Sequence, residues 1–149
     1  MAQAAIHLGN GDAKRAAEIY EWVLSRLPDF APAQKRLAAL YLRQPANSDK
    51  AYDLATHARK TLPDDPELAE ILGEISYGRK EYSRAAQLFD ESARKRPLDA
   101  KHLFYFGICS AQTKQVDRAR KALDQALAAG LEDPLASEAK QTLHDLGKN

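Results

Sequence analysis

The chain of 149 residues has 22 lysines and arginines against 21 aspartates and glutamates, so its formal net charge is +1. A chain of this length is expected to form one domain with its own hydrophobic core. Charge this evenly balanced gives no field of one sign to attract nucleic acid or an anionic membrane surface. The composition therefore favours a protein or peptide as partner and disfavours nucleic acid.

The chain has a single cysteine, Cys109, which excludes an intrachain disulfide and a zinc site built from several cysteines. Chains without structural disulfides are typical of reducing compartments, so we predict a cytoplasmic location. The longest apolar runs, such as 103–109, fall far short of the ~20 residues that span a bilayer. The first residues lack the basic and apolar regions of a signal peptide, so we expect no membrane insertion.

Four copies of one spacing pattern run along the chain. Each copy begins with a small residue that is followed 12, 16 and 24 residues later by matching residues, and in the second copy each step is one residue late. One inserted residue between Arg43 and Asp49 explains this delay. A period of 34 or 35 residues indicates a helical repeat. The copies are Ala4, Ala16, Tyr20 and Pro28; Ala38, Ala51, Ala55 and Pro63; Gly73, Ala85, Phe89 and Pro97; and Gly107, Ala119, Leu123 and Leu131.

Each copy contains two runs of apolar residues at helical spacing, separated by turn-forming residues, and so predicts two antiparallel helices. Small residues such as Gly73 in the first helix and Ala85 in the second would let the backbones approach closely, while Phe89 fills the space beside them. Pro97 would then terminate the second helix, because proline lacks an N–H and its ring excludes the preceding turn.

These residues resemble the tetratricopeptide repeat family, whose unit of about 34 residues carries a leucine-glycine pair, then alanine, an aromatic residue and a closing proline. The third unit fits best, with Leu72, Gly73, Ala85, Phe89 and Pro97. The last unit departs from the pattern, because Ser110 replaces a tyrosine and Leu131 replaces the proline. The resemblance covers nearly the whole chain and implies an all-α, right-handed solenoid of antiparallel helix hairpins.

We predict one domain made of a partial repeat at 1–30, full repeats at 31–65, 66–99 and 100–133, and a capping helix at 134–149. The first copy lacks half of its leading helix, so about seven repeat helices are expected. Two explanations of this start remain open, a piece cut from a longer solenoid and a natural short first helix. The capping helix would bury an apolar face and expose a polar one.

Residues typical of catalysis or metal binding form no recognisable set. The four histidines, His7, His57, His102 and His144, lie apart, with no second ligand at i+4. Ser92 matches a Ser-x-x-Lys pattern whose companion motifs are absent, and there is no glycine-rich phosphate loop. We therefore expect no enzyme, cofactor or metal, and we expect Cys109 to be a buried thiol.

The resemblance also implies a concave groove, lined by the first helix of each repeat, that holds a peptide or a helix. Glu67, Glu70 and Glu74 would share one face of their helix, and their repulsion would be offset by a cationic partner or by lysines and arginines of the chain. Both alternatives remain open. The predicted groove residues are Lys35, Arg36, Ala39, Arg43, Glu67, Glu70, Glu74, Tyr77, Lys101, Phe104, Tyr105, Ile108 and Gln112.

Two functions follow from this groove. The first is a non-catalytic module that binds a protein segment by aromatic contact at Phe104 and charge complementarity at Glu70 and Glu74. The alternative is a scaffold or spacer fragment of a larger enzyme or of a cell-envelope or secretion assembly. Binding of chaperone C-termini is rejected, because Ala39 and Tyr105 stand where that class of repeat uses asparagine and arginine.

The single tryptophan, Trp22, lies on the second helix of the incomplete first repeat. It either covers a neighbouring helix or contributes to an apolar patch that pairs with another copy of the chain. The second interpretation predicts a homodimer formed through the first repeat.

Overall fold

The computed structural model describes residues 1–9 and 11–148, except for the side chains of Ala5, Leu8 and Pro45. These residues form nine α-helices and one short 3₁₀ helix, Pro45–Asn47, and no strand occurs among them. The all-α class predicted from the sequence is therefore confirmed. The helices are α1 Ala2–Gly9, α2 Ala13–Arg26, α3 Ala31–Tyr41, α4 Ser48–Thr61, α5 Pro66–Gly78, α6 Tyr82–Ala93, α7 Ala100–Gln112, α8 Val116–Ala128 and α9 Leu135–Leu146.

The chain divides into two compact units, Met1–Ile71 and Leu72–Asn149. In the first unit, α2 packs against α1 and α3, and α3 packs against α4. In the second unit, α7 packs against α6, α8 and α9, and α9 also packs against α8. Each unit is thus built from helices that pack against their neighbours in the chain. The repeat boundaries proposed from the sequence stay a prediction.

Glycines allow the helices of two hairpins to approach closely. A Cβ atom added to Gly73 would lie 2.8 Å from a ring carbon of Phe89, and one added to Gly107 would lie 2.6 Å from Cγ of Leu123. Side chains cannot pack at such distances, so the helix surface must be bare at these two positions. The interpretation of the 16-residue spacing as a packing rule is therefore confirmed in both hairpins.

Aspartates cap the helices that carry most of the predicted groove residues. The backbone N–H of Leu68 donates to Asp65 Oδ1 at 3.1 Å at the start of α5. The backbone N–H of His102 donates to Asp99 Oδ1 at 2.8 Å at the start of α7. A carboxylate at this position satisfies an unpaired N–H and interacts favourably with the helix dipole. Both carboxylates are thereby fixed at the beginning of their helices.

The first repeat contains both of its helices, because α1 forms over eight residues. The described residues therefore include eight repeat helices rather than the expected seven. A helix of two turns has little stability by itself, but Ala4 of α1 is fully buried and α1 packs against α2. Packing against a longer neighbour thus stabilises a leading helix of 8 residues, shorter than the 11 to 13 residues of α3, α5 and α7.

The last helix, α9, has the two faces expected of a capping helix. Ala136 and Ala139 are buried, whereas the polar residues of the opposite face are exposed. At its start, the backbone N–H and the hydroxyl of Ser137 donate to Asp133 Oδ1 at 3.0 and 2.6 Å. The apolar face of α9 packs against α7 and α8.

Candidate functional site

The predicted groove residues of the first unit form a cluster of ion pairs. Lys35 Nζ lies 2.7 Å from Asp65 Oδ2 and 3.0 Å from Glu67 Oε2. Arg36 Nη1 lies 2.9 Å from Glu67 Oε1. Burial disfavours the charged form of Lys35, but the hydrogen bonds to the two carboxylates outweigh this effect and raise its pKa. Lys35 is therefore a fixed cation bound by two anions.

A cavity of about 470 Å³ opens beside this cluster. Four of the predicted residues line it, namely Arg36, Ala39, Arg43 and Glu67, together with the aliphatic Leu40. The side chain of Arg36 is about half exposed, and Arg43 is exposed. The structure therefore brings these residues of the first unit to one surface, which has a basic rim and a small apolar floor.

The predicted residues of the second unit form another ion-pair cluster, in which the central group is an anion. Glu74 Oε2 lies 2.7 Å from Lys101 Nζ, and Glu74 Oε1 lies 2.9 Å from His102 Nε2. Burial favours the neutral form of Glu74, but the hydrogen bonds from His102 and Lys101 outweigh burial and lower its pKa. Here a fixed carboxylate is bound by two nitrogen donors.

The second-unit cluster includes His102, which the sequence analysis treated as an ordinary helix residue. Its Nδ1 atom lies 2.8 Å from Asp99 Oδ1, so each ring nitrogen faces a carboxylate. A neutral imidazole has only one N–H, so both contacts are donor–acceptor bonds only in its charged form. The sequence feature that could have identified His102 is its position three residues after the capping Asp99 and next to Lys101.

Three of the predicted groove residues are buried. The exposed fractions are 0% for Phe104, 7% for Ile108 and 5% for Glu70. Phe104 and Ile108 belong to a core cluster with Leu123 of α8 and Ala139 of α9. The expected aromatic contact at Phe104 is therefore corrected, because α8 and α9 cover the part of α7 that the sequence analysis assigned to the groove.

The glutamates of α5 are not a free acidic surface. Glu67 is bound by Lys35 and Arg36, and Glu74 is bound by Lys101 and His102. Of the two alternatives that the sequence left open, the structure shows the counter-charges within the chain. Attraction of a cationic partner by Glu74 therefore loses most of its electrostatic basis.

Two half-buried tyrosines of the second unit, Tyr77 on α5 and Tyr105 on α7, contact each other. The ring centroids of Tyr77 and Tyr105 lie 4.5 Å apart, at an interplanar angle of 39°. Lys101 Nζ lies 5.4 Å from the Tyr105 ring. Burial, with a smaller contribution from the charge of Glu138, raises the pKa of Tyr77 to about 12, so its hydroxyl is neutral. Three predicted residues thus meet here, and Gln112 is exposed at the end of α7.

The first unit exposes several large apolar side chains. Trp22, Ile6 and Leu27 have exposed fractions of 63%, 61% and 58%. Trp22 also lines a cavity of about 380 Å³ that includes Met1 and Ile19. Trp22 is therefore too exposed for its predicted role of covering a neighbouring helix, whereas pairing with a second copy stays a prediction.

The two nucleophilic side chains discussed in the sequence analysis, Cys109 and Ser92, are both buried. Cys109 is fully buried, and burial raises its pKa to about 12, which makes its thiol unreactive. Ser92 is also fully buried. No three histidine, cysteine, aspartate or glutamate side chains come together as a metal site in residues 1–9 and 11–148.

The comparisons with known proteins agree with this fold. Residues 7–75 match the sequence model of the tetratricopeptide repeat family. Two structures of MamA superpose with TM-scores of 0.79 and 0.74, at 19% and 16% identity, and cover 98% and 97% of this chain and 86% and 82% of theirs. At such identities the likeness shows the fold alone.

A third solved structure is PilW, described as a widely conserved type IV pilus biogenesis factor. It superposes with a TM-score of 0.73 at 26% identity and covers 97% of this chain and 69% of its own. A search of curated protein sequences found no match. Residues 7–75 therefore resemble the tetratricopeptide repeat family in sequence, and the chain shares the all-α fold of the MamA and PilW structures.

Proposed function

We propose that the chain is a non-catalytic protein-interaction module whose paired tyrosines, Tyr77 and Tyr105, bind an extended or helical segment of another protein. Tetratricopeptide repeats commonly act as protein-interaction modules. The observation that carries the proposal is the contact between these half-buried rings, 4.5 Å apart on the second unit. Tyrosine is enriched at protein interfaces, because its ring supplies apolar contact while its hydroxyl still forms hydrogen bonds.

The tyrosine pair is held in place before a partner arrives. Tyr77 also contacts Tyr82 edge to face, with ring centroids 6.2 Å apart. Lys101, next to Tyr105, is fixed by its 2.7 Å contact with Glu74. Side chains that are already ordered lose little conformational entropy on binding, so more of the contact energy contributes to affinity. The surface is therefore suited to a partner that itself becomes ordered.

The charges near the tyrosines favour a partner of mixed rather than strong charge. The charge of Lys101 is largely offset by Glu74. Glu138 of α9 acts electrostatically on both Tyr77 and Tyr105. With cationic and anionic groups on the same surface, a highly acidic or highly basic segment would meet repulsion as well as attraction. Apolar and aromatic contact is therefore expected to dominate affinity.

Capture of partners from a native lysate by tyrosine variants tests this function. The double variant Tyr77→Ser, Tyr105→Ser is expected to lose at least about ninety per cent of partners retained by the wild type, as removal of interface hot spots does. Lys101→Glu, at a half-exposed side chain, repeats the test without removing a ring. Trp22→Ala, a loss of an aromatic ring in the other unit, is the matched control.

Circular dichroism establishes that each variant keeps its helices. The proposal is contradicted by partners that remain bound to the folded tyrosine variants in wild-type amounts. It is equally contradicted by a Trp22→Ala protein that loses the same partners as the tyrosine variants.

The likeness to PilW favours a second function, as a scaffold in a cell-envelope or secretion assembly. PilW is described as a pilus biogenesis factor and has 26% identity with this chain. A scaffold remains in a stable complex, whereas a transient adaptor exchanges its partner. Native complexes that keep one composition through dilution and size-exclusion chromatography would support the scaffold, and chain that elutes alone would count against it.

The exposed apolar residues of the first unit support self-association as a further proposal. Trp22, Ile6 and Leu27 would lose exposed apolar area in a homodimer. Light scattering over a hundredfold range of concentration is expected to show a dimer that Trp22→Glu converts to monomer. A wild-type protein that stays monomeric throughout would overturn this proposal.

Nucleic acid is not among the proposed partners. The net charge is +1, and the carboxylates of Asp65 and Glu67 occupy the Lys35 ammonium. A gel-shift assay at low salt, where phosphate binding is strongest, is expected to show no complex. Within the described residues, every helix falls short of the length and apolarity needed to cross a bilayer. The cytoplasmic location stays a prediction.

A further inference from the structure

A cavity of the Leu72–Asn149 unit, called the outer cavity below, lies between α6, α7 and α8 and contains none of the predicted groove residues. Its volume is about 520 Å³, within the range of roughly 300–1,000 Å³ typical of ligand-binding clefts. None of its lining residues belongs to the tyrosine pair or to the Glu74 cluster. Any ligand here would therefore be additional to the partner proposed above.

The floor of this outer cavity is apolar. Phe106 and Leu98 each have 9% of their surface exposed, and Ala122 has 3%. Leu103 is half-buried beside them. These side chains come from α7, from α8 and from the segment before α7, so the floor is held by three parts of the chain. An apolar group of a ligand would displace water from this floor at little cost.

Two cations of α8 border the floor. Arg118 and Lys121 are three residues apart and so share one face of the helix. The guanidinium carbon of Arg118 lies 5.7 Å from the centroid of the Phe106 ring. Its Nη2 atom is 3.9 Å from Asp90 Oδ1, which is beyond hydrogen-bond distance. Asp90 instead accepts a 2.5 Å hydrogen bond from Arg94 of its own helix.

Both cations therefore retain binding capacity. Lys121 makes no ion pair or hydrogen bond with the described residues, and the guanidinium of Arg118 makes only the long contact with Asp90 and the contact with the Phe106 ring. A carboxylate placed over the floor could accept hydrogen bonds from both side chains, and such charge-assisted bonds are among the strongest in proteins. The cavity thus combines an apolar floor with a rim that has unused positive charge.

We propose that this outer cavity binds a peptide segment of another protein in which a leucine or phenylalanine lies next to an acidic residue. The apolar side chain occupies the floor against Phe106 and Leu98. The neighbouring carboxylate accepts hydrogen bonds from Arg118 and Lys121. Asp90 of α6 also lines the cavity and has the capacity to accept a backbone N–H, which a peptide supplies and a fatty acid does not.

Two pairs of variants of the full chain test this proposal. Arg118→Glu with Lys121→Glu reverses the rim, and Lys140→Glu with Lys148→Glu makes the same change in net charge at exposed positions of α9 and the C-terminus. Ala93→Trp fills the cavity from an exposed lining position at the end of α6. Ala128→Trp adds the same ring at the exposed end of α8, outside the lining.

The probe is a fluorescein-labelled peptide with adjacent leucine and phenylalanine flanked by glutamates. Comparison probes carry lysines instead of the glutamates, or serines instead of the apolar pair. Fluorescence polarisation is expected to show binding of the first probe only. Reversing the charge of the rim should weaken the binding of this probe by about tenfold or more, the usual effect of losing hydrogen bonds to a charged group. Ala93→Trp should weaken it similarly, whereas both control variants should bind normally.

Amide chemical shifts locate the binding. The peptide is expected to shift the resonances of Leu98, Phe106 and Ala122. The proposal is overturned by an acidic apolar probe that does not bind at millimolar protein, or by one that binds the rim and filling variants as well as the wild type. It is also overturned when laurate shifts these resonances at lower concentration than the peptide. Shifts that depend on protein concentration alone would assign the cavity to a second copy and overturn it as well.

Discussion

Each of the two units contains a partly buried charged side chain held by two partners of opposite charge, and the two central charges differ in sign. In the first unit a lysine, Lys35, is bound by Asp65 and Glu67. In the second unit a glutamate, Glu74, is bound by Lys101 and His102. In each cluster, the two partners of the central charge lie at the start of the next leading helix, α5 or α7. A central cation and a central anion therefore perform the same task of joining successive leading helices.

The hairpins of the two units also solve one packing problem differently. Ala38 and Ala55 provide a small residue on each helix of the first-unit hairpin, and both are fully buried. Gly107 provides a bare backbone in the second unit, and Leu123 fills the space. The comparison teaches that this repeat position accommodates either two small residues or a bare backbone facing a large side chain.

The largest effect is expected from adding one methyl group to the second-unit hairpin. The Cβ atom of Gly107→Ala would lie 2.6 Å from Leu123 Cγ and 3.2 Å from the Leu123 backbone nitrogen. We expect a loss of about 2–3 kcal/mol in the free energy of unfolding, at the upper end of ordinary overpacking. Urea denaturation measures it. Gly78→Ala, where nothing lies within 4 Å of the added atom, is the control, and equal losses in both variants would contradict the packing argument.

Removing the central charge of each cluster is expected to have the next largest effect. Glu74→Gln leaves Lys101 and His102 facing each other without their anion, and Lys35→Met leaves Asp65 and Glu67 without their cation. Each should cost about 1–2 kcal/mol of unfolding free energy, because charged partners lose their hydrogen bonds. Chemical denaturation at neutral pH and low salt measures both variants. A change below about 0.3 kcal/mol, the effect typical of exposed ion pairs, would contradict a stabilising role for that cluster.

The pH dependence of stability is expected to separate the clusters with a smaller effect. Hydrogen bonds hold the pKa of Glu74 below its ordinary value of 4.5, so its contribution is present above that pH and is lost as the pH falls through the lower folded value. The pKa of Lys35 is raised above 10.5, so its contribution is present below that pH and is lost as the pH rises further.

Urea midpoints at pH 6 and pH 3 measure the acid limb. Glu74→Gln is expected to lose less stability than the wild type between these values, because the amide does not titrate. An unchanged acid limb in this variant would show that Asp65, whose pKa is also lowered, or other carboxylates account for acid sensitivity.

The smallest effect is expected on the rate at which the single cysteine of the chain is chemically modified. Cys109, the only cysteine, lies in the second unit, and Trp22, the only tryptophan, lies in the first. Because Cys109 is buried and its pKa is raised to about 12, iodoacetamide at pH 8 should modify it only when the second unit opens. Gly107→Ala is expected to increase the modification rate, whereas Gly78→Ala is not. Rapid modification of the folded wild type would contradict the observed burial.

Part of the candidate site could be predicted from the sequence, and part could not. The family resemblance assigned Tyr77, Tyr105 and Lys101 to one groove, because it implies that the first helix of each repeat lines the same concave surface. The same procedure placed Phe104 in the groove, although α8 and α9 bury it. The resemblance assigns groove residues on each helix separately. Which of these residues remain exposed depends on the other helices that pack against that helix.

The sequence by itself determined the period, the hairpins and the role of Gly73 and Gly107, because each glycine contacts a residue only 16 positions further along the chain. Only the tertiary structure decided which charges neutralise each other. Lys35 and Asp65 are 30 positions apart, and Glu74 and His102 are 28 apart. Such pairs depend on the distance between separate helices and on side-chain conformation, and the spacing of a repeat specifies neither quantity.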